Sequence, residues 1–367
     1  VPLGRDERAA IQRWLAGDAG APPGPVDWGA IADFAVRQAI AGLVWSAAPE
    51  GPGAGAGAEA WAALRRAALQ SAARTTLALH AFARVTRTLE AAGVPCLAMK
   101  GVAIAALDPG YAVRRHLSDL DLLVRPEHVV QADAALRAAG VAPALDRPTL
   151  DGREGVEGRA SLGSAVAVEV YRDPAGVPID LHVRPPAATA ARDLEGLWAR
   201  ARIADVAGTP VRVPSPDDQL LIACEHVFDR HGATPGLLPR HVADVARLVA
   251  LGARADRTVP SVDESLRMLA EARGGGEGRR WGLPSRLERA MRPDLGRREA
   301  SLRRFLKGVA VRAAIVRESG WRAVFPSRAY LAAAYKVPHD AWWVPALHLR
   351  RLLWDQPLRI LRGSGKH

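Results

Sequence analysis

The chain has 367 residues, 49% of them hydrophobic and 24% charged, with two cysteines and a formal net charge of +11. That balance excludes a disordered chain and a small disulfide-stapled scaffold, and the length suits two to three domains. No apolar run approaches the roughly 18 residues of a membrane-spanning helix. The start, VPLGRDERAA, has an early acid and no apolar run after its arginine, unlike a secretory signal, so the expectation is a cytoplasmic protein. The charge is unevenly spread: residues 297–367 hold 15 Lys and Arg against 4 Asp and Glu, while the preceding 296 hold 35 of each. The basic character therefore belongs to a C-terminal segment.

The first 92 residues read as a helical lead-in. Trp28, Ile31, Phe34 and Ala35, then Ile40, Leu43 and Val44, recur at spacings near three and four. A glycine-rich break from Gly51 to Ala58 precedes a long amphipathic helix from about Glu59 to Ala92, with Ala78, Phe82, Val85 and Leu89 on one stripe. At Gly93 the character changes: VPCLAMK reads as a strand, the Lys-Gly pair as a turn and GVAIAAL as the start of a helix.

Next, LSDLDLLVRP sets Leu120, Leu122 and Val124 against Asp119, Asp121 and Leu123, the period of a half-buried strand. Pro126 then starts a helix that runs to a Gly140 stop. Residues 141–160 are polar and glycine-rich and read as a loop. Ala165–Arg172 and Val177–Arg184 flank DPAG and predict an antiparallel hairpin. A shorter β segment near residues 201–213 closes this part of the chain. Ser215 as N-cap, Pro216 in the first turn and the acids Asp217 and Asp218 then open a C-terminal helical region. It continues through Leu238–Leu251 and much of residues 298–336. The expected divisions are 1–92, 93–213 and 214–367.

Several residues in the middle segment carry chemistry. Asp119 and Asp121, two apart on a predicted strand, leave one face and can converge on a cation. Two hard oxygen ligands suit Mg²⁺, which fills its other positions with water and substrate phosphate oxygens. In VPIDLHV the apolar positions alternate with Asp180 and His182, which makes Asp180 the third acid of the set, with Glu169 on the preceding strand as its competitor. A DxD on a strand is also a common solvated sheet face. Only four of the 50 basic residues are lysines, and Lys100 is the only one before residue 307. A compact ammonium at a turn before a helix suits phosphate binding, although it also suits a plain surface charge. His226, Asp229 and His231 look like metal ligands, but the two histidines are five apart and do not share a helical face, so a zinc site is rejected.

The runs AGVPCLAMKGVAIA, YAVRRHLSDLDLLVRPEHV, VPIDLHVRP, VPSPDDQLLIACEH and HVADVARLVA together resemble the uncharacterised bacterial nucleotidyltransferase family of the DNA polymerase β-like superfamily. The pattern is a Lys-Gly pair, an arginine four residues before DxDLLV, and a later Asp-Leu-His, with landmarks from about Phe34 to Leu251. The resemblance implies an α+β fold: a polymerase-β-like mixed sheet between a helical lead-in and a helical C-terminal domain. It also implies transfer of a nucleoside monophosphate from an NTP to an acceptor hydroxyl, with release of pyrophosphate. Asp119, Asp121 and Asp180 match the metal-binding and catalytic acids, with Mg²⁺ as cofactor and Mn²⁺ as a substitute. Lys100 and Gly101 stand where many superfamily members place a triphosphate-binding Gly-Ser pair. Arg115 matches the family arginine that would neutralise triphosphate charge, with Arg114 beside it as the alternative. Ser118 either touches a phosphate or simply lets the strand begin, and His182 either orients Asp180 or a substrate or is a satisfied sheet histidine. Asp244 resembles the family's helix aspartate and reads as a buried structural acid.

The C-terminal stretch mixes Trp342, Trp343, Leu349, Leu352, Leu353 and Trp354 with Arg350, Arg351 and Arg359. It suits a helix packed on the body, or single-stranded nucleic acid, an anionic membrane or a partner groove. Two alternatives to transfer onto a small molecule, peptide or protein follow: an RNA-directed enzyme of the same superfamily, and an inactive nucleotide-binding module.

Overall fold

The structure, a computed structural model, describes residues 3–22, 24–48, 57–144, 169–185, 192–230, 238–254 and 256–274, and isolated positions 291, 343 and 346. The first segment is helical, as its periodicity predicts. Helices α1 (Arg5–Leu15), α2 (Trp28–Arg37) and α3 (Ala41–Ala47) precede the 34-residue α4 (Ala58–Ala91). The Asp27 carboxylate accepts from the Gly29 and Ala30 amides and so caps α2. On α4, Ala78, Phe82, Val85 and Leu89 are all buried. Its apolar stripe thus covers the sheet that follows.

Among the described residues, seven strands form one mixed sheet. They are β1 (Cys96–Met99), β2 (Leu120–Val124), β3 (Ala142–Pro143), β4 (Glu169–Arg172), β5 (Pro178–His182), β6 (Arg202–Val206) and β7 (Thr209–Val213), in the order β3-β4-β5-β2-β1-β7-β6. Strands β4 and β5 form the antiparallel hairpin expected around DPAG. Asp173 fixes its turn, its carboxylate accepting from the Ala175 and Val177 amides. Strand β2 pairs antiparallel with β1 and parallel with β5. The connecting helices are α5 (Lys100–Leu107), α6 (Pro109–Ala112), α7 (Val129–Ala138), α8 (Leu194–Ala199), α9 (Pro216–Glu225), α10 (Leu238–Ala250) and α11 (Pro260–Ala272). Helix α9 starts as the sequence predicts, with the Ser215 hydroxyl accepting from the Asp218 amide at 3.2 Å.

Three expectations change. Strand β2 begins at Leu120, one residue later than read, and is buried along both faces rather than half-buried. Its central place between β1 and β5 explains this: Leu120, Leu122 and Val124 pack under α4, α5 and α7, while Leu123 meets Leu97, Met99, Leu197 and Ile222 on the other side. The region read as a loop from 141 contributes a short edge strand at Ala142–Pro143. Its remainder, residues 165–168 of the hairpin, and residues 298–336 lie outside the described residues, as does the basic tail apart from Trp343 and Ala346.

The N-terminal and C-terminal helices share one core. Ile11, Trp14, Ile31, Phe34 and Val44 cluster with Leu220, Val242, Val245, Leu248, Val262 and Leu269. Trp28 stacks on Trp14 at 6.0 Å and meets Trp61 edge-on at 5.0 Å. Cys96 and Cys224 are buried and unbridged, and burial pushes both thiols up to about 12, in keeping with inert packing residues. No described helix is long and apolar enough to cross a membrane.

One close approach ties the N-terminal layer to the segment leading into β2. A Cβ on Gly42 of α3 would lie 2.4 Å from the Arg114 carbonyl oxygen, a backbone atom that has no side-chain freedom to yield. Gly42→Ala should lower stability by about 1–3 kcal/mol in urea unfolding. An unchanged midpoint would show that α3 does not rest on this carbonyl.

Candidate active site

The site is built where β1 ends and the parallel strands β2 and β5 begin, near α9 and α10. Parallel pairing sets Asp121 directly beside Asp180 and Leu123 beside His182. Side chains in register across neighbouring strands leave the same face, so the pairing turns two acids toward one point. Ligand atoms of Asp121, Asp180 and His182 all lie within 4.8 Å of one another. Asp121 and His182 are buried and Asp180 is half-buried.

Asp121 is the centre of this group. Its Oδ1 receives Lys100 Nζ at 2.6 Å and His182 Nε2 at 3.0 Å. Burial opposes its ionisation, yet the His182 hydrogen bond and the Lys100 charge outweigh burial and hold the carboxyl far below the usual carboxylate range. Burial and then the Asp121 charge act the other way on Asp180, whose pKa is raised. One acid is thus fixed as an anion while its neighbour is made a better proton acceptor.

Asp119 does not join the cluster. The strand starts after it, and its carboxylate accepts from the Ser118 hydroxyl at 2.7 Å. It lines the adjoining pocket, where its charge still acts on Asp180. Glu169 is ruled out as the third acid: it stands opposite Leu181, whereas Asp180 stands opposite Val170, so Glu169 leaves the other face of the sheet. Ser118 is exposed at the rim of the pocket.

Lys100 joins β1 directly to α5 in the left-handed conformation, at φ 51°. For a residue with a side chain this costs about 1–2 kcal/mol, and it reverses the chain without a loop. The Gln219 amide on α9 donates to the Lys100 carbonyl at 3.2 Å and holds the turn. Gly101 serves a close approach. A Cβ there would lie 2.5 Å from Arg115 Nη1 and 2.7 Å from Leu117 Cδ2.

Arg115 lines a cavity beside Asp121, and its side chain is held there by Asp244. Its Nε and Nη2 donate to the two carboxylate oxygens of Asp244 at 2.7 and 2.8 Å, and its Nη1 donates to the His116 carbonyl. Tyr111 also donates to Asp244, at 2.9 Å, and Thr75 of α4 donates to the Arg115 carbonyl. Arg115 and Asp244 are a buried bidentate pair that fixes the approach to β2, so the reading of Asp244 as a structural acid fits its surroundings. Arg114 is exposed and donates to the Gly110 carbonyl.

A cavity of about 200 Å³ opens beside Asp121, lined by Lys100, Gly101, Ser118, Asp119, Gln219 and Arg240, among others. Arg240, on the first turn of α10, escaped the sequence reading because one arginine among dozens carries no local signal. Burial and then the like charge of Arg115 lower its pKa. Asp244 is already paired with Arg115, and Lys100 and Arg240 line the cavity as well. His226 lines it too, while the side chain of Asp229 and all of His231 lie outside the described residues. A larger cavity of about 270 Å³, on the side of α10 that meets α1 and α3, has no acidic residue among those lining it and does not adjoin the sheet.

Paired acids on neighbouring parallel strands thus adjoin a cavity lined by both cationic and acidic side chains. A family profile described as uncharacterised nucleotidyltransferase matches residues 24–267, and the chain belongs to that family, a family of enzymes that transfer nucleotidyl groups. No curated protein matches the chain. Three solved structures are similar. The solution structure of the antibiotic-resistance factor ANT(2'')-Ia has 14% identity and TM-score 0.34 and covers 55% of this chain and 90% of that one. An antigenic nucleotidyltransferase-like protein from Paracoccidioides brasiliensis has 16% identity and TM-score 0.37, covering 54% and 88%. ANT(2'')-Ia in complex with adenylyl-2''-tobramycin has 17% identity and TM-score 0.32, covering 53% and 97%. Scores this low add nothing to the family assignment.

The buried pair gives a stability test. Arg115→Met leaves Asp244 charged without its partner and should cost about 3–5 kcal/mol, whereas the double variant Arg115→Met, Asp244→Leu should recover much of that loss. Despite burial, Arg115 holds the Asp244 carboxyl below its ordinary range. Its stabilising contribution is therefore complete above the unfolded-state pKa, about 3.9, and is lost as pH falls below it. Urea unfolding from pH 7 to 2.5 should show a shallower acid loss in the double variant; parallel curves would refute the coupling.

Proposed function

We propose that the protein is a divalent-metal-dependent enzyme that moves a nucleoside monophosphate from an NTP to an acceptor hydroxyl, releasing pyrophosphate. The observation that carries this is the in-register pairing of Asp121 with Asp180, which supports a two-carboxylate cation site next to a cavity that Lys100 and Arg240 line. The donor set fits the cation. Two carboxylates suit Mg²⁺, and the imidazole of His182, whose buried Nδ1 has no hydrogen-bond partner among the described residues, makes Mn²⁺ equally acceptable. Asp121 and Asp180 would hold the ion with His182 at hand, and Asp119 lies one position away at the cavity rim. When bound, such an ion neutralises charge on the phosphates and on the leaving pyrophosphate.

This chain's own residues do the rest. Lys100 and Arg240 bind triphosphate oxygens and align the α-phosphorus, with Ser118 at the entrance. Asp180 accepts the proton of the acceptor hydroxyl as that oxygen attacks the α-phosphorus and the bond to the bridging oxygen breaks. Arg115 acts indirectly, because its pairing with Asp244 fixes the segment that delivers Asp119 and β2. In this reading residues 93–213 are the nucleotidyltransferase unit, residues 1–92 cap it and residues 214–367 supply Arg240 and the far wall. The acceptor is a small molecule, peptide or protein. The RNA-directed alternative rests on the basic tail, which lies outside the described residues.

The test is label transfer from each α-labelled NTP, with Mg²⁺ or Mn²⁺ and an acceptor extract. Transfer should need metal and fall by about 10²–10⁴-fold in both Asp121→Asn and Asp180→Asn. Equal transfer by wild type and either variant would remove the catalytic assignment. Arg240→Ala should raise the KM for NTP about tenfold or more while changing kcat less, in keeping with the loss of a charged hydrogen bond. An unchanged KM would exclude Arg240 from the phosphate site.

A further inference from the structure

The cation position at Asp121 is already filled by a group of the protein. Lys100 Nζ lies 2.6 Å from Asp121 Oδ1, and His182 Nε2 reaches the same oxygen. The Asp121 side chain is only 4% exposed and that of Lys100 15%, so little solvent is available to stand in for a missing countercharge. A buried carboxylate left unpaired is costly, and the ammonium balances it in the protein alone. A divalent ion on Asp121 and Asp180 would sit against that ammonium at contact distance. The two cations repel strongly in a partly desolvated site, so both cannot stay on Asp121.

The structure shows which part of Lys100 is able to leave. Its main chain is pinned: the strand runs straight into the helix through the left-handed turn, and Gln219 holds its carbonyl. Its side chain is an unbranched stem with a compact point charge, which re-aims by rotamer changes alone. The stem lines the same cavity as Ser118 and Arg240, so a swing away from Asp121 brings the ammonium among the residues that face an incoming phosphate chain. An arginine would be a poorer mobile counter-ion here, since its planar fork prefers to keep both oxygens of one carboxylate.

We infer that Lys100 is an internal stand-in for the metal: it occupies the Asp121 cation position in the ligand-free protein and is drawn off by the NTP triphosphate, so that metal and nucleotide bind together rather than independently. This rests on the metal-dependent reading above and extends it to how the site is loaded. No bond is made or broken in the exchange. Lys100 trades a carboxylate for phosphate oxygens, and the ion takes the carboxylate it vacates. The coupling is reciprocal, so metal strengthens nucleotide binding by the factor by which nucleotide strengthens metal binding.

The decisive measurement is the affinity of the full chain for Mn²⁺ alone, by electron paramagnetic resonance of the free ion, followed by the same titration with a saturating, non-transferable α,β-methylene ATP. Mn²⁺ held by the analogue in buffer is subtracted. Wild type should bind Mn²⁺ weakly alone and about tenfold or more tightly with the analogue. Lys100→Met should bind Mn²⁺ alone about tenfold more tightly than wild type, and the analogue should then add little. Lys100→Gln, which keeps a hydrogen-bond donor for Asp121, gives the same comparison if the methionine variant does not fold. A lysine variant that binds Mn²⁺ alone no better than wild type, while Asp121→Asn still abolishes binding, overturns the stand-in role and leaves the metal site intact. Mn²⁺ binding that Asp121→Asn does not weaken, or no binding in any protein with or without the analogue, overturns the metal site and the stand-in with it.

Discussion

Two carboxylates held side by side on adjacent parallel strands are the constraint around which the structure is arranged. The register of β2 against β5 sets Asp121 beside Asp180, and nothing in that pairing relieves their mutual repulsion. The surrounding chain supplies the relief. Lys100 comes from the end of β1 and His182 from β5 itself, and both converge on one oxygen of Asp121. The result is an asymmetric pair in which one acid stays ionised and the other is biased toward accepting a proton.

The layers around the sheet make sense as supports for that pair. The face carrying Leu120, Leu122 and Val124 is sealed by α4, α5 and α7, which fixes β2 from behind. The approach to β2 is fixed from the side: Thr75 holds the backbone at Arg115 and Leu117, and Asp244 holds the Arg115 side chain. Gly101 belongs to the same construction, because only a residue without a Cβ leaves room there for the guanidinium. The Lys-Gly pair thus does two jobs in two residues, one a mobile charge and the other a space.

Much of this could be read from the sequence, and what could be read was local. The DPAG turn, the Ser215 cap, the apolar stripe of α4 and the alternation that singles out Asp180 are patterns within a few residues, set by backbone geometry and by the periods of helix and strand. The features that local patterns leave out depend on partners distant in the chain. Asp119 and Asp121 share an alternation, but the ladder that sets Asp121 beside Asp180 starts only at Leu120, and the neighbouring strand that forms it lies some sixty residues on. Arg115 looked free to meet phosphate because its partner, Asp244, lies 129 residues away. Arg240 was missed for the converse reason: its significance comes only from the cavity it faces. The burial of β2 on both faces likewise follows from its central place in the sheet.

The core shared by the first helices and the last bears on how the chain is made. Ile11, Trp14, Ile31 and Phe34 are translated before the sheet, and their apolar partners on α9, α10 and α11 only after it. During that interval several tryptophans and large aliphatic side chains have no permanent cover, and such surfaces are what chaperones recognise. The sheet can close first on α4, α5 and α7, whose contacts are nearer in sequence, while the terminal layer completes last, by long-range closure. The last contacts to form are therefore those that span the greatest length of chain.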